Sequence, residues 1–283
     1  LADKSRGAVW EEVLIHLMES VQVISLSATV SNAEEFGEWL GEVRGSTEVI
    51  VSEIRPIPLY QHVLIGNRLI DLFSEPGRVN PEILGLEREA LRRVKTPRNR
   101  RDRYDESDNR LSRPEIIEKL QRQNLLPAIT FIFSRIGCDS AVKQCLQAGI
   151  KLTSMEERVE ITRTAQRYTQ NLAEEDLEVL GYRDWLTALE RGIAAHHAGL
   201  LPSFKGAVED LFKRGLVKAV FATETLALGI NMPARTVVLE KLMKWNGQAH
   251  VSITPGEYTQ LTGRAGRRGI DIEGNAVVQW SPT

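Results

Sequence analysis

Short apolar runs alternate with helical patterns from residue 114 onward, and this alternation constrains the fold more than any other feature. The strand-like runs are "PAITFIF", "GIAAHH", "KAVFAT", "TVVLEKL" and "NAVVQW". The clearest helix between them is "SFKGAVEDLFKRG", with an apolar stripe and Gly215 as its predicted end. Apolar strands separated by amphipathic helices are typical of an α/β fold, a mainly parallel sheet with helices on both faces.

The first fifty residues carry a shorter version of the same pattern. "VQVISLSAT" and "EVIVSE" are predicted strands, and a helix between them is predicted to begin after Asn32, with Glu35 completing a capping box. Two strands make a poor sheet on their own. We therefore expect half of an α/β layer here.

The segment between these two parts is predicted to be a linker that is partly disordered. The prolines of "IRPIPLYQHVLIG" favour an extended connector over a helix. Residues 87–113 are dense in charge and almost without apolar side chains, so they are expected to be mobile, with a nucleic-acid-binding tether as the alternative. The predicted division is 1–53, 54–113 and 114–283, and residues 150–186 are predicted to form an inserted helical pair.

Composition limits the possible partners only weakly. The net charge of the 283 residues is −2, so any surface that binds anions must be local. The apolar runs are too short to span a bilayer, and the first residues do not resemble a signal peptide. Cys138 and Cys145 lie about 10 Å apart on a predicted helix, beyond disulfide reach, which favours a reduced, cytoplasmic protein.

The stretch "EYTQLTGRAGRRGIDIEGN" is the strongest candidate for anion binding. Thr254 and Glu257 predict a capped helix start, which places Gln260 and Arg264 one turn apart on a shared face. Glycines then end the helix, so that Arg264 and Arg267 are expected to project for bidentate phosphate contacts. The alternative is an arginine-rich helix end whose guanidinium groups satisfy nearby carbonyls and carboxylates.

Several sequence blocks occur in an order that resembles a known family. They are "LSAT", "FIFSR", "HHAGLLP", "FATETLALGINMPART" and "EYTQLTGRAGRRG". Together they resemble successive motifs of superfamily 2 helicases, and more narrowly the DExH-box helicases of the superkiller type, with the HelY branch as one candidate. "GINMPAR" followed by "QLTGRAGRRG" is the most specific part. The resemblance covers nearly the whole chain, except the polar linker and the helical insertion.

This resemblance implies two RecA-like domains with ATP and Mg²⁺ in the cleft between them. Arg264 and Arg267 would be arginine fingers that reach the γ-phosphate, and Gln260 would lie beside the attacking water. Gly229 and Asn231 would line the nucleotide side of the cleft. The implied fold of this chain is a complete second RecA-like domain together with the C-terminal remnant of the first.

The resemblance also implies a channel for single-stranded RNA or DNA across both domains. Its contacts would come from these residues: Ser134, Arg135, His197, Gly199, Thr223 and Thr225. Ser27 and Thr29 would couple hydrolysis to domain movement. For each serine or threonine the alternative is a turn or cap hydroxyl. No metal site is expected at His196 and His197, because adjacent strand residues face opposite ways and no ligand lies at metal-binding spacing.

The phosphate loop and acidic box that the family requires are absent from the sequence, which contains no Gly-Lys pair. "DESD" at 105–108 lies in the polar segment without a buried strand before it. ATP and Mg²⁺ are therefore expected to bind mainly to a missing N-terminal part of the first domain, and this chain alone is expected to be inactive. The rival hypothesis is a non-catalytic RecA-like module that binds nucleic acid or acts as a scaffold.

Overall fold

The computed structural model of the chain describes residues 7–26, 33–52, 54–95, 110–227 and 230–281. The chain divides into two compact units, Leu1–Arg55 and Pro56–Thr283. The helices of the described residues are α1 (Gly7–His16), α2 (Ala33–Arg44), α3 (Pro81–Lys95), α4 (Arg113–Arg122), α5 (Arg135–Gln147), α6 (Met155–Thr169), α7 (Glu174–Val179), α8 (Tyr182–Glu190), α9 (Pro202–Lys213) and α10 (Pro255–Thr262).

The first unit contains the helix predicted in this region but not the strands. Helix α2 buries Leu40 and stacks Phe36 on Trp39, with ring centroids 5.9 Å apart. The described parts of the two predicted strands, residues 21–26 and 48–52, form no strand, and Leu26 and Ile50 are 92% and 82% exposed. These strand predictions are therefore corrected, because strands without sheet neighbours cannot satisfy their backbone groups in a ladder.

The second unit is built on a seven-stranded sheet in the order β2-β1-β11-β8-β5-β7-β6. Its strands are β1 (Leu59–Ile65), β2 (Arg68–Asp71), β5 (Ala128–Phe131), β6 (Ile193–His196), β7 (Ala219–Ala222), β8 (Thr236–Leu239) and β11 (Gly274–Gln279). Two hairpins stand apart from it, β3–β4 (Phe73–Glu75, Arg78–Val79) and β9–β10 (Met243–Trp245, His250–Ser252). Pairing is parallel except at the edge strand β2, so the predicted α/β class and its five strands are confirmed.

Helices cover both faces of the sheet, as predicted. One core contains side chains of α6, α8 and α9 packed on Ile129, Phe131 and Val220. The opposite core joins α4 and α5 to Ala219 and Phe221. The insertion after residue 150 contains three helices, α6, α7 and α8, rather than the predicted pair.

Much of the predicted linker 54–113 belongs to the second unit. Strand β1 pairs in parallel with β11, and α3 buries Ile83 in a core with Val63 and Ile70. The prolines that predicted a connector, Pro56 and Pro58, lie directly before β1, and the strand that follows them carries polar residues inside the sheet. Gln61 accepts a hydrogen bond from the Tyr258 hydroxyl at 2.7 Å, and His62 bonds Asp71 and Asn275 at 2.8 Å each. Satisfied in this way, polar side chains can occupy a buried strand.

Gly274 marks the closest approach of two backbone segments in the second unit. A Cβ at this position would lie 2.7 Å from both the carbonyl carbon of Ala265 and the amide nitrogen of Gly266. Because backbone cannot move aside as a side-chain tip can, we expect Gly274→Ala to lower the free energy of unfolding by about 2–3 kcal/mol. Urea unfolding at equilibrium measures this change.

Gly85→Ala is the matched control, since a Cβ on this α3 residue meets nothing within 4 Å. Alanine in an open helical position is expected to be neutral or stabilising by up to about 1 kcal/mol. Equal destabilisation by the two substitutions would contradict the assigned contact.

Candidate functional site

The carboxyl ends of four neighbouring strands meet at one edge of the sheet. Immediately after β5, the Ile132 amide donates to the Ala222 carbonyl of β7 at 2.8 Å. Immediately after β7, the Thr223 amide donates to the His196 carbonyl of β6 at 3.3 Å. These bonds bring the loops after β5, β6 and β7 to the same edge, and the loop after β8 leaves the sheet beside them. Ligands of open α/β sheets bind at this edge.

Ser134 and Arg135 begin α5 directly after β5. The Ser134 hydroxyl accepts the Gly137 amide at 3.2 Å, so this serine caps the helix. Arg135 is exposed, and a Cβ added to Gly199 would lie 3.6 Å from its Cδ. The structure therefore brings together Arg135 and the glycine of the "HHAG" turn, two residues that the sequence singles out separately.

Both adjacent histidines are buried and hydrogen-bonded within the protein. His197 Nδ1 accepts the Gly199 amide at 3.2 Å, which leaves the proton on Nε2 to be donated to Asp139 Oδ1 at 3.0 Å. His196 Nε2 bonds Glu209 Oε1 at 2.8 Å, and burial lowers the pKa of His196. The His197 ring is only 6% exposed, so it shapes the turn and presents no free ring nitrogen to a ligand. The described residues contain no group of three potential metal ligands.

Thr223 and Thr225 lie where β7 ends and a 3₁₀ turn (Glu224–Ala227) begins. Their hydroxyl oxygens are 2.9 Å apart and hydrogen-bonded to each other. Thr223 is buried, whereas Thr225 is exposed. The pair therefore presents one hydroxyl to solvent with a second one behind it.

Arg264 is held by the loop that follows this turn. Helix α10 starts with the predicted capping box of Thr254 and Glu257 and ends at Thr262, so Arg264 lies just past its end. Its guanidinium donates to the Ile230 carbonyl at 2.6 Å and to the Ala227 carbonyl. Burial lowers the pKa of Arg264. Arg264 is thus fixed beside exposed Asn231, while Gly229 lies outside the described residues.

Arg267 forms a bidentate ion pair that the sequence analysis missed. Its Nε and Nη2 donate to the two carboxylate oxygens of Asp271 at 2.7 Å each, and its backbone amide adds a bond of 2.9 Å. Asp271 lies only four residues after Arg267, and this short separation could have indicated the pair although the segment is not helical. Burial raises the pKa of Asp271, but the bonds from Arg267 outweigh it and the net pKa is below the usual value.

The expectation that Arg264 and Arg267 both project outward is therefore corrected. Each of them bonds its own chain, which matches the alternative weighed for an arginine-rich helix end. Exposed Arg268 is the arginine of this stretch with no hydrogen bond or ion pair among the described residues. Gln260 is exposed on α10 and lines a cavity of about 130 Å³ together with Phe133, Glu224 and Lys244. The predicted coupling residues Ser27 and Thr29 lie outside the described residues.

Comparison with known proteins finds helicases that are similar to this chain. Residues 140–269 match the helicase conserved C-terminal domain. The whole chain is 58% identical to the probable helicase HelY of Mycobacterium leprae, and 98% of it is 36% identical to the human superkiller complex protein 2. A DExH-box ATP-dependent RNA helicase of Arabidopsis thaliana is 39% identical over 98% of the chain.

The chain carries a helicase C-terminal domain, and its homologues along nearly its whole length are HelY and DExH-box helicases of the superkiller type. The alignments with these three relatives cover 32%, 23% and 26% of the relatives' own lengths. The sheet of the second unit agrees with the RecA-like helicase C-terminal domain that this family predicts. None of the helices in the described ranges has the length and apolar character needed to cross a bilayer.

The Arg267–Asp271 pair predicts a specific dependence of stability on pH. Because the folded-state pKa of Asp271 is lowered, its contribution is present above the unfolded pKa of about 4 and is lost as pH falls through the lower folded value. Asp271→Asn is expected to reduce the free energy of unfolding by on the order of 2–3 kcal/mol near neutral pH. The difference from wild type should shrink below about pH 4, as urea unfolding at several pH values would reveal.

Glu118→Gln serves as the control for this measurement, because Glu118 pairs with Arg122 on an exposed helix face. Its effect is expected to stay within about 0.5 kcal/mol. A constant difference between Asp271→Asn and wild type across the acid range would argue against the stabilising role of the ion pair.

Proposed function

We propose that this chain is part of an ATP-dependent helicase or translocase that moves along single-stranded RNA or DNA. The observation that carries the proposal is the meeting of the carboxyl ends of β5, β6, β7 and β8 at one sheet edge, where residues after β5 and β7 line a cavity together with α10. In this proposal the exposed Thr225 hydroxyl and the Arg135 guanidinium face a nucleic-acid backbone, and the Arg264 guanidinium faces a nucleotide. Helicases of this family use both.

The part of the proposal that concerns nucleic-acid binding rests on exposed Arg135 and Thr225. A guanidinium and a hydroxyl both donate hydrogen bonds to phosphate oxygens without reading the bases. Ser134 contributes the helix start, where backbone amides favour anions. This surface is supported from behind by buried Thr223 and His197. Gly199, which has no side chain, lets Arg135 approach the turn. Nothing in this arrangement selects RNA over DNA.

The nucleotide half of the proposal assigns Arg264 and Arg267 as arginine fingers and places Gln260 beside the attacking water. A guanidinium has five N–H donors. In each of the two arginines the hydrogen bonds to the chain engage two of the three guanidinium nitrogens, which leaves donors for a phosphate. Asn231 and Gly229 would border the same nucleotide. When bound, ATP and Mg²⁺ supply the scissile phosphoanhydride and its neutralising charge, and the chain's own residues contribute the donors on one side.

Two further assignments complete this proposal. ATP and Mg²⁺ would be held mainly by an N-terminal part of the first RecA-like domain, with Ser27 and Thr29 coupling hydrolysis to movement between the domains.

A non-catalytic RecA-like module is the second candidate, and one observation favours it: both candidate fingers already have partners on the chain. The two candidates differ in whether the arginines affect turnover.

Arginine substitutions in the full-length protein separate these two candidates. Arg264→Ala or Arg267→Ala is expected to lower nucleic-acid-stimulated ATP hydrolysis by roughly 10³–10⁵-fold, the usual contribution of an arginine finger. Arg268→Ala is the control, because this neighbouring arginine is exposed and without a partner among the described residues. Steady-state kinetics measures turnover, and thermal unfolding reports whether each variant is folded. Folded Arg264→Ala and Arg267→Ala variants with unchanged turnover would favour the non-catalytic module.

The proposed nucleic-acid contact of Arg135 is tested by salt dependence. Arg135→Ala is expected to weaken binding of single-stranded oligonucleotides of mixed sequence about equally for RNA and DNA, and to reduce the slope of log affinity against log salt by about 1. Fluorescence anisotropy at several salt concentrations measures both. Lys143→Ala, which removes an exposed cation farther along α5, should leave the slope unchanged. A slope unaffected by Arg135→Ala would remove this residue from the proposed channel.

A further inference from the structure

Lys244 on β9 lies between carboxylates of two other elements. Its Nζ is 2.5 Å from Glu257 Oε1 and 4.0 Å from Glu224 Oε1. Glu224 stands in the 3₁₀ turn after β7, and Glu257 stands in the first turn of α10. One cation therefore bridges a turn and a helix that are far apart in the sequence.

The two elements carry different parts of the proposed site. Glu224 lies between Thr223 and Thr225, whose hydroxyls form part of the proposed strand-binding edge. Glu257 lies one helical turn before Gln260, on the helix that leads to Arg264. Lys244 therefore contacts both the turn of the proposed nucleic-acid-binding edge and the start of the helix that faces the nucleotide in that proposal.

Glu257 also fixes where α10 begins. Its second carboxylate oxygen accepts the Thr254 amide at 2.8 Å and the Thr254 hydroxyl at 3.1 Å, which completes the capping box. The hydrogen bond to Glu257 is the main cause of the raised pKa of Lys244, so the lysine remains a cation at neutral pH. The same carboxylate thus responds to Lys244 and orients the helix.

A cavity lies beside this bridge. The cavity of about 130 Å³ is lined by all three charged residues and by Gln260. Phe133, which immediately precedes Ser134, closes another side of it. Because Gln260 is exposed, this cavity opens to solvent, and the side chains that line it have free space on one side.

We propose that Lys244 is a positioning residue that couples the strand-binding turn at Glu224 to the nucleotide-facing helix at Glu257. The inference rests on the function proposed above and deepens it, because it names the contact through which nucleic acid stimulates hydrolysis. Lys244 itself touches neither nucleic acid nor nucleotide in this assignment. Its removal therefore affects the communication between the two sites rather than either site alone.

The test compares Lys244→Met with wild type in the full-length protein. The stimulation factor, ATP turnover with saturating single-stranded oligonucleotide divided by turnover without it, is expected to fall roughly 5- to 20-fold, within the range of typical site-to-site coupling. Basal turnover and oligonucleotide affinity should stay within about two-fold of wild type, since direct contacts are retained. Lys244→Arg preserves the cation and should recover most of the stimulation.

Lys218→Met is the matched control. Lys218 Nζ is 2.9 Å from Glu157 Oε1, and Glu157 is likewise the capping-box residue of its helix, α6. The two lysine side chains are 27% and 22% exposed, so each substitution removes a partly buried ion pair, and Lys218→Met also removes a bond to the Leu152 carbonyl. Both variants are expected to lower the melting temperature comparably, but only Lys244→Met should lower the stimulation factor.

The possible outcomes test the coupling role of Lys244 separately from the proposed function. If Lys244→Met retains full stimulation, or if Lys218→Met reduces it equally, the coupling role of Lys244 is wrong while the proposed function stands. If Lys244→Met lowers basal and stimulated turnover by the same factor, Lys244 serves the nucleotide site and not the coupling. If oligonucleotide fails to stimulate the wild-type protein at all, the proposed function itself is contradicted.

Discussion

The parallel hydrogen-bond ladder through β5 is the constraint on which the remainder of the second unit depends. Strand β5 is buried along its whole length and pairs with β7 on one side and β8 on the other. Because parallel strands with similar registers end together, the loops after them are only one or two strand spacings of about 4.8 Å apart. Residues far apart in sequence, such as Ser134, His197 and Thr223, therefore share an edge without any direct bond among their side chains.

The loop that carries Arg264 and Arg267 is attached to the same sheet by backbone contacts. This attachment explains Gly266 and Gly274. Ala234 and Ala265 form an isolated parallel bridge before β8, and the Gly274 amide donates to the Pro58 carbonyl at 2.8 Å. Gly266 adopts φ +88°, and a Cβ there would lie 2.6 Å from Ile57 Cγ2. Only residues without a side chain fit this close approach of three segments. Arg264 and Arg267 consequently project from a backbone segment that these contacts hold against the sheet.

The sequence predicted the parts of this structure that follow from periodicity, and missed those that follow from pairing. Buried strands such as β5 and β7 are apolar on both faces, so their composition identifies them. Strand β1 escaped prediction because Gln61 and His62 are satisfied by residues about 200 positions away, Tyr258 and Asn275. The sequence likewise singled out Arg264 and Arg267 but not the groups that accept their hydrogen bonds. The Ile230 carbonyl lies 34 residues from Arg264 and could only be located by the fold, whereas Asp271 lies four residues from Arg267 and could have been considered from the sequence.

The two candidate fingers differ in a way that bears on their roles. Arg267 is neutralised by a carboxylate that is 5% exposed, and a charge-assisted bidentate pair is among the strongest polar contacts. Arg264 bonds only neutral carbonyls, so its positive charge has no compensating carboxylate at ion-pair distance among the described residues. Partial burial in these surroundings makes an approaching anion more favourable for Arg264 than for Arg267. Of the two, Arg264 is therefore the one whose charge is not shared with a carboxylate, whereas Arg267 keeps free N–H donors but shares its charge with Asp271.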